Sequence, residues 1–360
     1  MGLCSLKDNR DSNSSVSATQ SSIHLSDFEL VKVVGRGGFG RVWQVRCPAF
    51  DTTHALKQIS KARVLAKNSV SAVMNERLLL VKLKHDFIVN LHYAFQDQEY
   101  LYLVLDLKLG GDLRYHLGKC KRFSEGQTST LYIEFFVACI LQGLRYLHEQ
   151  GLIHRDIKPE NLVLDSSGYV HITDFGIARV WQPDNGRETS GTPGYMAPEV
   201  MCRQNHGVAV DYFALGVLCY ECMLGRRPYQ GKSRKEIRDA MLQKQASVQT
   251  QDIPAGWSVH SADFVNRLLQ RKPVQRLGRN GPDEVFAHPW LQGVEWAKIQ
   301  SRQLPSPFLP SYQDNFDPSI LSQSDPWSLA NGDVVKQQEH ALRLPATQQL
   351  FAGYHYQPVL

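Results

Sequence analysis

His154-Arg155-Asp156-Ile157-Lys158-Pro159-Glu160-Asn161 is followed, thirteen residues after Asn161 (174 − 161), by Asp174-Phe175-Gly176. The first stretch puts a carboxylate, an ammonium and a carboxamide on one short loop. The second adds a carboxylate beside a glycine hinge. Such a set can orient a hydroxyl, neutralise a phosphoryl group in transit and hold two magnesium ions. Any three of these letters recur by chance, whereas an eight-residue run joined to a nearby tripeptide seldom does.

The bulk of the chain leaves room for this chemistry. Its 360 residues accommodate a two-lobed domain of about 270 residues with tails, or two to three ordinary domains. Hydrophobic content of 42% and aromatic content of 10% fit a globular protein with a sizeable core. The formal charge of +5 is spread along the chain, unlike the concentrated stripe of a nucleic-acid binder, so no nucleic-acid partner is expected. Of seven cysteines, the closest pair is Cys219-Tyr-Glu-Cys222, inside an apolar run that reads as a helical core rather than a redox or zinc site. The odd count and the absence of a secretory pattern point to a reducing, cytoplasmic setting. The apolar stretches at Leu131–Leu144 and Tyr212–Leu224 are short and carry Glu134 and Glu221, so neither reads as a membrane span.

Residues 1 to about 25 are rich in Ser, Asn, Asp and Gln and read as disordered. From Phe28 the pattern becomes strand-like, with a helix over Val70–Leu83 and further strands over Ile88–Phe95 and Tyr100–Leu107. After Gly110-Gly111 helical periodicity dominates to about residue 297, and from Leu304 the Pro-, Ser- and Gln-rich chain reads as an extended tail.

With these motifs in place the chain resembles a eukaryotic protein kinase. The resemblance implies an α+β, two-lobed fold: an antiparallel small lobe with one key helix (26–106), a mainly helical large lobe (107–292) and a tail (293–360). Gly35-Arg36-Gly37-Gly38-Phe39-Gly40-Arg41-Val42 has glycine spacing shared with dinucleotide loops, but here it lies between two strands and leads to Ala55-Leu56-Lys57. Glycines without a Cβ let backbone amides approach phosphates, and the extra Gly38 is expected to make the flap more mobile. Lys57 is expected to bind the ATP phosphates and Glu76 to hold Lys57. Val42, Ala55 and Val163 are expected to sandwich the adenine, with Leu105 as gatekeeper and Asp106-Leu107 in the hinge.

By the same resemblance, Asp156 orients the substrate hydroxyl, Lys158 stabilises the transferred group, and Asn161 and Asp174 bind Mg2+. Glu199 is expected to pair with Arg276, and Asp211 to anchor the catalytic loop. Lys158 and Gly191-Thr192-Pro193 mark serine/threonine over tyrosine kinases. Asp112, Glu160 and Glu221 match positions that read arginine upstream of the acceptor, so protein substrates with basic motifs are expected.

The resemblance is specific to the AGC family, carried by Gly37–Val42, Tyr100–Leu117, His171–Gly176 and Pro305-Ser-Pro-Phe-Leu-Pro310. Leu109-Gly-Gly-Asp-Leu-Arg-Tyr-His-Leu117 looks most like the YANK subgroup. Leu350-Phe351-Ala-Gly-Tyr354-His355-Tyr356 looks instead like the F-x-x-F-S/T-F/Y motif of ribosomal-protein kinases, with His355 in the phosphorylated position. The activation-loop phosphothreonine position, which Arg155 normally pairs with, falls on Glu188, with Thr189 beside it. Two readings follow: Glu188 partly replaces the phosphate, or an upstream kinase modifies Thr189. Phe351 and Tyr354 are expected to fold onto the small lobe near the Glu76 helix, against the alternative of a free tail. Gly2 and Cys4 fit dual acylation and membrane association, although Leu6 departs from the myristoylation pattern.

A monomeric, Mg-ATP-dependent serine/threonine kinase is the leading reading. The alternatives are a pseudokinase scaffold, disfavoured because Lys57, Asp156, Asn161 and Asp174 are all present, and a small-molecule kinase, disfavoured by the full activation segment.

Overall fold

The computed structural model describes residues 23–120, 127–311, 315 and 330–358. The acylation expectation at Gly2 and Cys4 falls outside them. The front of the chain forms one antiparallel sheet of β1 (Glu29–Gly37), β2 (Gly40–Cys47), β3 (Thr52–Ser60), β4 (Leu91–Gln96) and β5 (Tyr100–Leu105), ordered β1-β2-β3-β5-β4. Alternation along the strands divides the side chains between two layers. Phe28, Val45, Leu56, Phe95, Tyr102 and Val104 cover the outer face, while Ala55, Ile59, Leu101, Leu103 and Leu105 join the core that continues towards the large lobe.

Between β3 and β4 run α1 (Lys61–Ala66) and α2 (Val70–Lys82). Helix α2 was legible from its periodicity. The six-residue α1 was not: it is too short to show a period, and a single cap, Ser60 Oγ accepting from the Arg63 amide, starts it.

The large lobe is mainly helical: α3 (Leu113–Cys120), α4 (Gln127–Glu149), α5 (Pro198–Met201), α6 (Ala209–Leu224), α7 (Arg234–Gln243), α8 (Val259–Leu268), α9 (Pro282–Phe286) and α10 (Trp296–Gln300). Two short ribbons, β6 (Leu152–Ile153) with β9 (Arg179–Val180) and β7 (Leu162–Leu164) with β8 (Val170–Ile172), carry the loops that face the small lobe. Cys219 and Cys222 are buried thiols in α6. The architecture is α+β and two-lobed.

The extended tail read from the sequence is corrected in part. Helices α11 (Gly332–Ala341) and α12 (Pro345–Gln349) form there, and α11 packs on α1. Their polar composition hid them. Val335 packs against the core and Leu342 is buried in it, so a tertiary surface supplies the stability that propensity lacks.

Behind the cleft, Arg276 and Glu199 form a buried bidentate ion pair at 2.7 and 2.9 Å. Arg276 also donates to the carbonyls of Gln270 and Ala209. With the two side chains 0 and 3% exposed, Arg276→Met leaves a buried carboxylate unpaired. A loss of about 3–5 kcal/mol is expected, read as a lower urea midpoint at unchanged slope.

Candidate functional site

The lobes enclose a cleft of about 520 Å³. Its roof is the β1–β2 hairpin, its rear wall β3 and α2, and its floor the β7 and β8 loops. At the hairpin's far end glycine is obligatory, because a Cβ on Gly40 would lie 1.8 Å from the Gln58 carbonyl oxygen. The expected phosphate-loop residues Gly35, Arg36, Gly37 and Val42 line the cleft; Gly38, Phe39 and Gly40 do not. The tip is latched instead. Lys67 donates to the Gly38 carbonyl at 2.7 Å and its ammonium lies 5.3 Å from the Phe39 ring centre. The hinge residues Leu105, Asp106 and Leu107 line the rear, with Ala55 and Val163 above and below. The Asp106 carboxylate is turned away to Asn90 and His92, which leaves the strand backbone to face the cleft.

Lys57 from β3 meets Glu76 from α2 at 2.6 Å and Asp174 at 3.5 Å. Burial works against the Lys57 ammonium, but the two carboxylates outweigh it and hold it charged, above its ordinary range. Lys57 in turn holds Asp174 below the usual carboxylate range. Opposite, Asp156 is enclosed by donors: Lys158 Nζ at 2.5 Å, Thr192 Oγ at 2.7 Å, the Thr192 amide at 3.0 Å and Asn161 Nδ2 at 2.9 Å. These bonds fix both carboxylate oxygens.

The loop carrying Asp156 hangs on a carboxylate below it. Asp211, fully buried in α6, accepts from the amides of His154 and Arg155 at 2.9 and 2.8 Å and pairs with His148. Burial opposes its charge, yet His148 and these amides hold it below the usual carboxylate range. Phe175, 1% exposed, packs edge-on against His154 and so ties the Asp174 turn to the same post. Arg155 adopts a positive φ of 70°, a conformation that costs free energy and persists only where surroundings enforce it. Its guanidinium pairs with Glu188 and donates to the Ile177 carbonyl at 2.7 Å. Thr189 is half-buried beside the pair.

The three acids singled out for substrate are brought together, but not left open. Arg114 of α3 bridges Glu160 and Glu221 at 2.9 Å each. Asp112 accepts from the Tyr115 amide at the start of α3, at 2.8 Å. The sequence reading missed Arg114, because a single arginine on a short helix carries no signal of what it touches.

Phe351 and Tyr354 are both fully buried against the small lobe. The tail pairs with the sheet edge, the Tyr356 and Ala94 amides and carbonyls exchanging bonds at 2.8 and 2.9 Å. Arg77, next to Glu76 on α2, donates to the His355 carbonyl. Lys61, buried in α1, was also missed: it donates to Gln348 Oε1 at 2.7 Å and lies 5.2 Å from the Phe351 ring centre. Further back along the tail, Pro310, Ser311 and Asn315 line the cleft itself.

A two-lobed fold with a paired lysine in the small lobe and two loop carboxylates facing it across a cleft defines a phosphotransferase of the protein kinase class. The protein kinase domain model matches residues 28–291. The chain is 38% identical over 327 residues to a probable serine/threonine-protein kinase of Dictyostelium discoideum, covering 89% of this chain and 70% of the relative. It is 38% identical over 317 residues to the serine/threonine-protein kinase sgk-1 of Caenorhabditis elegans, covering 85 and 66%. It is 35% identical over 346 residues to the serine/threonine protein kinase ypkA of Aspergillus fumigatus, covering 94 and 52%. The chain therefore spans between about half and about two thirds of these relatives' lengths. It belongs to the protein kinase family, among the serine/threonine kinases of the AGC type. Among the described residues no helix is long and apolar enough to cross a membrane.

Two predictions concern the tail. Phe351→Ala removes about 3–5 kcal/mol of core packing, so amide exchange at Ala94 and Tyr356 should accelerate while β1 and β2 keep their protection. The Tyr354 hydroxyl is buried with no hydrogen-bond partner among the described residues. Tyr354→Phe should therefore raise stability, by about 1 kcal/mol, measured as an increase in melting temperature.

Proposed function

We propose that the enzyme transfers the γ-phosphoryl group of Mg-ATP to serine or threonine hydroxyls of protein substrates. The observation that carries this reading is the closed Lys57–Glu76 pair, with Asp174 reaching it from one side and Asp156 fixed on the other.

Two protein groups fit a magnesium ion. Asp174 is an ionised carboxylate beside the cleft, and Asn161 spends its amide nitrogen on Asp156, leaving its amide oxygen for a cation. Among the described residues no three His, Cys, Asp or Glu cluster as a ready metal cage. Magnesium takes one or two protein oxygens and completes its shell with phosphate and water, so Asp174 and Asn161 are a sufficient protein share. Bound there, the metal would neutralise charge on the β- and γ-phosphates.

The remaining work belongs to side chains. Lys57 would hold the non-transferred phosphates. Asp156 would accept a hydrogen bond from the substrate hydroxyl and take its proton as the new bond forms. The hydroxyl oxygen bonds to the γ-phosphorus, the bond to the β,γ-bridging oxygen breaks, and ADP leaves. Lys158, already directed towards the reacting region by Asp156 and Thr192, would stabilise charge on the moving group. Upstream residues of the substrate would pass Asp112, Glu160 and Glu221, the last two of which Arg114 already bridges.

The Arg155–Glu188 pair supports activity without activation-loop phosphorylation. The carboxylate holds the arginine that otherwise awaits a phosphate, with less charge and fewer oxygens.

Asp156→Asn should retain ATP binding by calorimetry and lose at least about a thousandfold in peptide phosphorylation. Retained turnover would remove Asp156 from its role. Phosphate-free Glu188→Ala should lose roughly tenfold in rate, about 1.4 kcal/mol of barrier. Should Glu188→Ala be as active as wild type while Thr189→Ala is inactive, control passes to an upstream kinase acting on Thr189.

A further inference from the structure

Arg114 occupies the acids that would otherwise select an arginine in the substrate. Its three guanidinium nitrogens are all engaged: Nε on Glu160 at 2.9 Å, Nη1 on Glu221 Oε1 at 2.9 Å, and Nη2 on Glu221 Oε2 at 3.3 Å and on the Tyr195 hydroxyl at 2.5 Å. Tyr195 donates in turn to Glu221 Oε2. Both oxygens of Glu221 are thus taken, and its side chain is 13% exposed. The bidentate geometry is the one a carboxylate offers to an incoming guanidinium.

The network also lies beside the transfer centre. Glu160 is two residues beyond Lys158, and the Tyr195 amide bonds to the carbonyl of Thr192, whose hydroxyl holds Asp156. The two glutamates carry two negative charges and Arg114 cancels one of them. A substrate arginine arriving here meets a cation of its own kind at short range and must displace it.

We propose that Arg114 is a specificity-determining residue, an internal guanidinium that fills the upstream arginine subsite made by Glu160 and Glu221 and so suppresses selection of arginine at that position. This rests on the protein kinase reading and refines the expectation of basic substrates. The remaining acid, Asp112, uses Oδ1 to accept from the Tyr115 amide at the start of α3, so of the three acids Glu160 and Glu221 are the two that Arg114 occupies.

The test uses full-length enzyme, Mg-ATP and two serine peptides that differ only in arginine or alanine at the two positions two and three residues upstream of the acceptor. The arginine-to-alanine ratio of kcat/KM should be within about threefold of one for wild type. It should rise at least about tenfold in Arg114→Ala, the scale of a close interfacial charge pair. Arg114→Lys, which keeps the cation but reaches one carboxylate at a time, should fall between them, and it stands in for Arg114→Ala if that variant is unfolded. A ratio that fails to rise in either variant overturns the proposal. Binding of the same peptides with alanine in place of the acceptor, measured by calorimetry with a non-hydrolysable ATP analogue, should show the same ratios. Absence of turnover in wild type towards every peptide would count against the kinase reading, while the calorimetric ratios would still decide the subsite.

Discussion

The Lys57–Glu76 ion pair is the contact on which the site depends, because it joins the charged groups of the sheet and of α2 at the cleft. Lys57 is fixed by the sheet, opposite Val42 and Leu103 in the strand register. Glu76 is carried by α2, whose Val73, Leu79 and Leu80 are buried in the same core as the sheet. At 2.6 Å the pair ties α2 to the sheet, and Asp174 reaches the same ammonium at 3.5 Å. A 4%-exposed glutamate left without its lysine would be a strongly unfavourable group, so the pair and the helix position stabilise each other.

Around that pair the chain provides three supports. Phe351 and Tyr354 fill the gap behind α2, and Arg77 on the same helix bonds to the tail backbone. Asn75 donates to the Ala178 carbonyl at 3.1 Å, joining α2 to the start of the activation segment. Arg155 closes on Glu188 within that segment. His355 stands where the related motif carries a phosphorylated residue, and the backbone pairing of Tyr356 with Ala94 holds the tail there instead. Apolar burial of Phe351 and Tyr354 and these main-chain hydrogen bonds hold the tail on the small lobe.

Much of the site was legible because phosphoryl transfer restricts residue type at fixed spacing. The octapeptide at 154–161 and Asp174-Phe175-Gly176 fall on loops that face each other, and Lys57 and Glu76, nineteen residues apart (76 − 57), come into contact. The β-rich front and helical back also followed from periodicity. The short α1 and the tail helices did not, since α1 spans only six residues and the tail helices are polar in composition. Their formation depends on Leu342, Phe351 and Lys61 meeting one another across almost the whole length of the chain.

By itself the sequence determined the fold class and singled out Lys57, the loop carboxylates Asp156 and Asp174 and the acids Asp112, Glu160 and Glu221, because each belongs to a local pattern. Tertiary structure decided who partners whom. That Glu160 and Glu221 are bridged by Arg114, that Arg155 meets Glu188, and that the tail is seated on α1 and α2 depend on side-chain directions and on surfaces assembled from distant segments. A motif states which groups are available. The distance between their charged atoms, which sets the sign and strength of their interaction, exists only once the chain has folded.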